Sequence, residues 1–112
     1  MNTLHFSHQA MSQRLLTLAQ LYQQGAASEL MERILVKLFV YEADACHAQL
    51  TEFEKDLAVF EEQYSLSSSE FYRRYQAGQT DDRMDYVEWA SLIQMTENLR
   101  QRLRLLTGNG GT

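Results

Sequence analysis

The feature that most constrains this chain is a long seam of apolar and small residues spaced alternately four and three positions apart. This is the heptad spacing of a helix that packs lengthwise against another helix. No proline interrupts the seam, because the 112-residue sequence contains none, and proline strongly disfavours a helix interior. The pattern predicts one long helix over about 28–64, with a break near 43–48 left open. The seam consists of Phe39, Ala43, Cys46, Leu50, Phe53, Leu57, Phe60 and Tyr64.

Three shorter helices are predicted around the long one from their apolar period and their capping residues. They cover about 8–24, 68–77 and 82–106. The third has a capping box and a hydrophobic staple, two signals that indicate the same helix start. The predicted capping residues are Ser7 and Gly25 for the first helix, Ser28 for the second, Ser67 with Glu70 for the third, and Asp81 or Asp82 for the fourth.

Short connections make sequential helices antiparallel neighbours. The predicted fold is therefore all-α, an antiparallel helical bundle built on the long central helix. We expect a single helical domain over 1–107 and a flexible glycine-rich tail over 108–112. In this arrangement the arginines at 100–104 should lie beside Glu42 and Asp44 and form ion pairs with them.

Charge and composition exclude several classes of function. Ten Lys and Arg residues against fifteen Asp and Glu residues give a net charge of −5, which argues against nucleic-acid binding by phosphate neutralisation. A single Cys excludes an intramolecular disulfide framework. No signal peptide is recognisable, and no apolar stretch reaches the roughly 20 residues that a membrane span needs. We therefore expect a soluble cytoplasmic protein without membrane contact.

No motif in the sequence points to catalysis or to a cofactor. Asp44-x-x-His47 places a carboxylate and an imidazole on one helical face, whereas di-iron bundles use two Glu-x-x-His pairs with two further carboxylates. A symmetric dimer would supply two pairs, so a metal at Asp44 and His47 stays open. The preferred interpretation is a solvated helix face, and we predict no metal ligands, catalytic residues or cofactor.

The segment from Leu30 to Tyr41 is apolar on most sides of the predicted helix. A helix that is apolar nearly all round has to be covered nearly all round, and the first helix can cover only one side. We therefore predict that Leu30, Ile34, Leu38 and Tyr41 form an interface. Its partner is a second copy of the chain (a homodimer or higher oligomer), another protein, or both.

The acidic charge is concentrated in the long helix. Residues 42–62 contain seven acidic residues and one Lys, a local charge of −6, which suits a basic protein partner. The run Phe71–Tyr75 mixes aromatic and cationic residues, but its acidic neighbours argue against a DNA-binding helix, and Glu70 is expected to pair with its arginines. The candidate partner contacts are Glu52, Asp56, Arg73, Arg74, Glu88 and Trp89.

The C-terminal half of the chain resembles a family of small helical proteins. The residues that carry the likeness are Phe60-Glu61-Glu62-Gln63-Tyr64, Ser67 to Gly78, Thr80-Asp81-Asp82, Asp85 to Ala90 and Leu99 to Leu103. The family occurs in cyanobacteria, other bacteria and archaea, and its members look like the antitoxin-type partners of two-gene toxin–antitoxin cassettes. The resemblance implies a non-enzymatic interaction protein, an antitoxin-like neutraliser of a basic partner protein. The alternative is a self-associating structural or scaffold bundle.

Overall fold

The computed structural model describes residues 7–108, and these form four α-helices and no β-strand. The helices are α1 (His8–Gln23), α2 (Glu29–Tyr64), α3 (Ser68–Gln76) and α4 (Met84–Thr107). The all-α prediction is confirmed, and each helix boundary lies within two residues of the predicted one. The break left open near 43–48 is not observed, since α2 is one continuous helix of 36 residues that includes this segment.

The chain divides into two compact units, one ending at Lys37 and the other beginning at Leu38. The first unit contains α1 and the start of α2, and the second contains the rest of α2 with α3 and α4. The single domain predicted over 1–107 stays a prediction; the boundary between the two units falls within α2. Gly108, the first residue of the predicted tail, is the left-handed C-cap of α4. Residues 109–112 lie outside the described part of the chain.

Most of the predicted helix caps are present. In three of them a serine hydroxyl accepts a hydrogen bond from the backbone N–H three residues later, at 3.1 or 3.2 Å. Such a bond satisfies one of the N–H groups that a helix start leaves without a partner. Gly25 ends α1 with a φ of 70°. The capping serines are Ser7 for α1, Ser28 for α2 and Ser67 for α3.

The cap predicted for α4 is wrong. The helix begins at Met84 with Arg83 at its N-cap position and has no side-chain cap. The carboxylate of Asp81 is engaged instead by Arg83, through its backbone N–H at 3.0 Å and its guanidinium at 2.8 and 2.9 Å. Asp85 lies in the first turn as expected, and it accepts a 2.6 Å hydrogen bond from the hydroxyl of Tyr64.

The core of the second unit is aromatic. Trp89 has no exposed surface and Phe71 is 1% exposed, and Leu57 and Ala90 complete the buried cluster. The residues packed around this cluster are Phe60, Tyr64, Leu66, Tyr72, Tyr75, Tyr86, Leu92 and Ile93. Further from it, Cys46, Leu50 and Thr96 are also buried. The buried residues of α2 therefore all come from the predicted seam.

Contacts within the second unit show that α4 runs antiparallel to α2. Tyr86 near the start of α4 meets Tyr64 at the end of α2, with ring centroids 5.2 Å apart. Near the end of α4, Arg102 donates to Glu42 at 2.7 Å. The predicted ion pairing is confirmed for these two residues but not for Asp44. The neighbouring arginine pairs are Arg100 with Glu54 at 3.2 Å and Arg104 with Glu97 at 3.5 Å.

Candidate interaction surfaces

The four predicted interface residues of α2 are all exposed. Leu30 is 59% exposed, Ile34 56%, Leu38 49% and Tyr41 73%. Their spacing of four, four and three places them within about 80° of arc on one side of the helix. They form an apolar surface on a single helix face, which we call the α2 stripe.

The α2 stripe continues as a second heptad seam, which was not predicted from the sequence. Ala45 and Ala48 follow Tyr41 at spacings of four and three, and both are exposed. Together with Ile34, Leu38 and Tyr41 they give five positions spaced four, three, four and three. The pattern was visible in the sequence, but the aromatic seam on the opposite side of the helix is stronger and alanine is a weak apolar signal.

The first unit carries many apolar side chains and encloses none of them. No residue from 7 to 37 is buried. The hydroxyl of Tyr22 donates to Glu32 at 2.7 Å and so links α1 to the start of α2. This hydrogen bond raises the pKa of Tyr22, because it stabilises the protonated hydroxyl. The apolar residues nearest to burial are Leu18, Leu21, Met31 and Leu35, which are only half-buried.

A second surface is an open groove between α2 and α4, with an apolar floor and an acidic rim. Asp56 on α2 and Glu88 on α4 lie at this groove, although 32 positions separate them in the sequence. Two of the six candidate partner contacts are therefore brought together. A third, Glu52, is exposed and forms a 3.4 Å ion pair with Lys55. The apolar residues of the groove are Val59, Phe60, Val87, Leu92 and Met95.

The structure gives Trp89 a role different from the predicted one. Its side chain has no exposed surface, and its Nε1–H donates to the Ser68 hydroxyl at 2.9 Å. A residue without exposed surface cannot contact a partner, so that prediction for Trp89 is wrong. Its large aromatic ring instead forms the centre of the core in the second unit.

Arg73 and Arg74 bind within their own helix. The Glu70 carboxylate accepts from Arg73 at 2.7 and 2.9 Å and from Arg74 at 3.1 Å. The hydrogen bonds from both arginines favour the ionised form and hold the pKa of Glu70 at about 2. The Glu70 carboxylate is bound to these arginines and does not accept a hydrogen bond from the backbone N–H of Ser67. The second hydrogen bond of the predicted capping box is therefore absent. The two cations, predicted as partner contacts, are both paired with one carboxylate of their own helix.

Asp44 and His47 do not belong to a cluster of metal-ligating side chains in the described part of the chain. Over residues 7–108, no three His, Cys, Asp or Glu side chains lie close enough together to hold a metal ion. The intervening Cys46 is 3% exposed, whereas Asp44 and His47 are exposed on α2.

None of the helices within residues 7–108 is both long enough and apolar enough to cross a bilayer.

No protein-family model, curated protein or solved structure matches this chain.

Proposed function

We propose that this chain is a non-enzymatic interaction protein and that the α2 stripe is the surface that another protein chain covers. The observation that carries the proposal is the exposure of four large apolar side chains, 49 to 73%, on one helical face. Contiguous apolar surface of this kind marks interaction sites on folded proteins. Covering one half-exposed side chain contributes about 1 kcal/mol. The four side chains together thus supply a substantial part of an interface.

The first unit adds support to this proposal. Apolar residues of α1 are also exposed, and no residue of the unit is buried. A helical hairpin without enclosed side chains gains little hydrophobic stabilisation on its own. A partner that covers apolar surface would supply stabilisation that the unit lacks. The exposed apolar residues of α1 are Met11, Leu15, Leu16 and Tyr22.

The test combines sedimentation of the purified chain over a range of concentrations with co-expression of the product of the adjacent gene. We expect a mass above 13.0 kDa, or a stable complex, and loss of either when Leu38 is replaced by Gln. Leu105→Gln is the matched control, because Leu105 is 76% exposed on α4, outside the stripe. A monomer that does not bind the neighbouring product would contradict the proposal.

A second candidate function is the neutralisation of a basic protein in the manner of an antitoxin. The acid-rimmed groove favours it, since an amphipathic helix can insert apolar side chains into such a groove. Basic residues of that helix would then face Asp56 and Glu88, where opposite charges favour encounter and orientation. The resemblance of the C-terminal half to antitoxin-type proteins supports the same function.

This candidate is tested by expressing the adjacent gene with and without this chain. If the neighbouring product impairs growth, this chain should restore it, and Asp56→Lys should weaken the rescue by repelling a basic partner. Glu62→Lys is the matched control, because it makes the same kind of charge change on α2 outside the groove. Equal rescue by both variants would argue against a role for the groove, and a harmless neighbouring product would argue against neutralisation.

A further inference from the structure

We propose that the α2 stripe is covered by a second copy of this chain, packed antiparallel about a two-fold axis near residue 40. In this arrangement Lys37 of one chain pairs with Asp44 of the partner subunit, and the symmetric pair forms on the other side of the axis. The inference rests on the proposed function, because it assumes that a protein covers the stripe, and it names that protein.

The spacing of the exposed seam fits a helix pair. Ile34, Leu38, Tyr41, Ala45 and Ala48 alternate at four and three positions, which keeps a seam facing a partner helix. Five such residues cover about 21 Å of helix at 1.5 Å per residue. The seam is polar beyond Ala48, where Glu52 and Lys55 follow at the next two positions, so the contact ends there.

The sizes of the seam residues favour the antiparallel orientation. The amino-terminal end carries Ile34 and Leu38, and the carboxyl-terminal end carries Ala45 and Ala48. Antiparallel pairing places Ile34 opposite Ala45 of the partner subunit, so a large residue meets a small one on each side of the axis, with Leu38 against Tyr41 of the partner subunit between them. Parallel pairing places each alanine opposite itself and leaves that end underfilled.

The charges beside the seam also favour a second copy in this orientation. Lys37 and Asp44 lie on the same edge of the α2 stripe, seven positions apart. Within the described range 7–108, neither residue forms an ion pair. In an antiparallel helix pair this edge of one chain faces the same edge of the partner subunit. Lys37 then lies beside Asp44 of the partner subunit.

A parallel dimer would use the charges differently. It would place Lys37 next to Glu42 of the partner subunit, following the usual pairing of parallel coiled coils. The Glu42 carboxylate already accepts a 2.7 Å hydrogen bond from Arg102 and lies half-buried on the opposite edge. Asp44, by contrast, is exposed. The antiparallel pair therefore uses the two charges that have no ion-pair partner within 7–108.

The experiment measures dimerisation of two charge-reversal variants, Lys37→Asp and Asp44→Lys, alone and mixed. Each variant alone should weaken the dimer about tenfold, because two attractive pairs become repulsive. The equimolar mixture should recover wild-type affinity, since each heterodimer contains two opposite-charge pairs. Lys55→Asp is the matched control and should leave the dissociation constant unchanged. Circular dichroism verifies that every variant keeps its helix content.

The outcomes separate this inference from the function on which it rests. A mixture as weak as the single variants overturns antiparallel pairing. A dimer that Lys37→Asp weakens and Asp44→Lys leaves unchanged indicates the parallel arrangement and overturns the proposal. If Leu38→Gln abolishes a dimer that neither charge reversal affects, the interaction function stands and the antiparallel model fails. A monomeric wild type that still binds the adjacent gene product overturns self-association while the interaction function stands.

Discussion

The indole ring of Trp89 lies parallel to the phenyl ring of Phe71, with centroids 3.9 Å apart and an angle of 2° between the planes. The ring of Phe60 stacks on the indole at 5.5 Å and 10°. The Nε1–H donates to Ser68 at the start of α3. One side chain of α4 thus connects α2 and α3, and it fixes the packing of the second unit.

Replacing Ser68 with alanine should lower the free energy of unfolding by about 1–3 kcal/mol. The substitution removes the acceptor of a fully buried indole N–H, and an unsatisfied buried donor costs about this much. Ser69→Ala, at an exposed neighbouring position, should change it by less than about 0.5 kcal/mol. Urea unfolding followed by fluorescence of Trp89, the single tryptophan, measures both. Equal effects of the two substitutions would contradict a special role for the Ser68 hydroxyl.

Replacing Ser65 with glycine should stabilise the protein by about 0.5–1 kcal/mol. Ser65 ends α2 with a φ of 50°, the left-handed region in which a Cβ is unfavourable. The turn is closed by a 3.2 Å hydrogen bond from the Leu66 N–H to the Glu61 carbonyl, and glycine keeps this bond. Ser69→Gly is the opposing control, because glycine inside α3 should destabilise. Loss of stability in Ser65→Gly would show that the serine side chain outweighs the backbone strain.

Acid should weaken the second unit through the carboxylates that arginines hold ionised. The pKa of Glu70 is lowered from 4.5 to about 2, and that of Asp81 from 3.8 to about 2. A lowered pKa contributes stability that is complete above the ordinary value and is lost as the pH falls through the folded value. Glu70→Gln should therefore reduce the fall in unfolding free energy between pH 4.5 and 2, measured by urea titration at each pH.

A matched control for the acid effect is Glu62→Gln. Glu62 is exposed on α2 and forms no ion pair within residues 7–108. Its removal should leave the acid dependence close to wild type. If both substitutions change the dependence equally, the arginine pairing at Glu70 is not its cause.

The Cys46 thiol should react at least about a hundredfold more slowly in the folded protein than in urea. The residue is 3% exposed, so a thiol reagent reaches it only when the surrounding helices open. Ala58→Cys supplies an internal control, because position 58 is exposed on the same helix. The variant should show one fast and one slow reaction with the reagent. A fast reaction of Cys46 in the native protein would contradict its burial between the helices.

The helices were predictable because their signals are local. The aromatic seam of α2 and the serine caps depend on residues close together in the chain. The N-cap of α4 was missed because Asp81 and Asp82 both have a capping side chain, and only the contacts decide. Arg83 binds the Asp81 carboxylate, which removes this carboxylate as a cap.

The surfaces were less predictable because they depend on how helices pack. The exposure of Leu38 and its neighbours was predictable, because the segment from Leu30 to Tyr41 is apolar on most sides of α2. The placement of Asp56 and Glu88 at one groove depends on the register between α2 and α4, which no local pattern specifies. Trp89 was predicted as a candidate partner contact, whereas the packing of α3 against α4 decides its burial.

The continuity of α2 across both units has a consequence for how the stripe meets a partner. Starting a helix is the unfavourable step, and adding residues to an existing one is much easier. Residues 38–64 are anchored by buried side chains, so residues 29–37 extend a helix that has already nucleated. The first apolar residues of the stripe are therefore preorganised, and binding loses little backbone entropy there. More of the free energy of contact remains available as affinity.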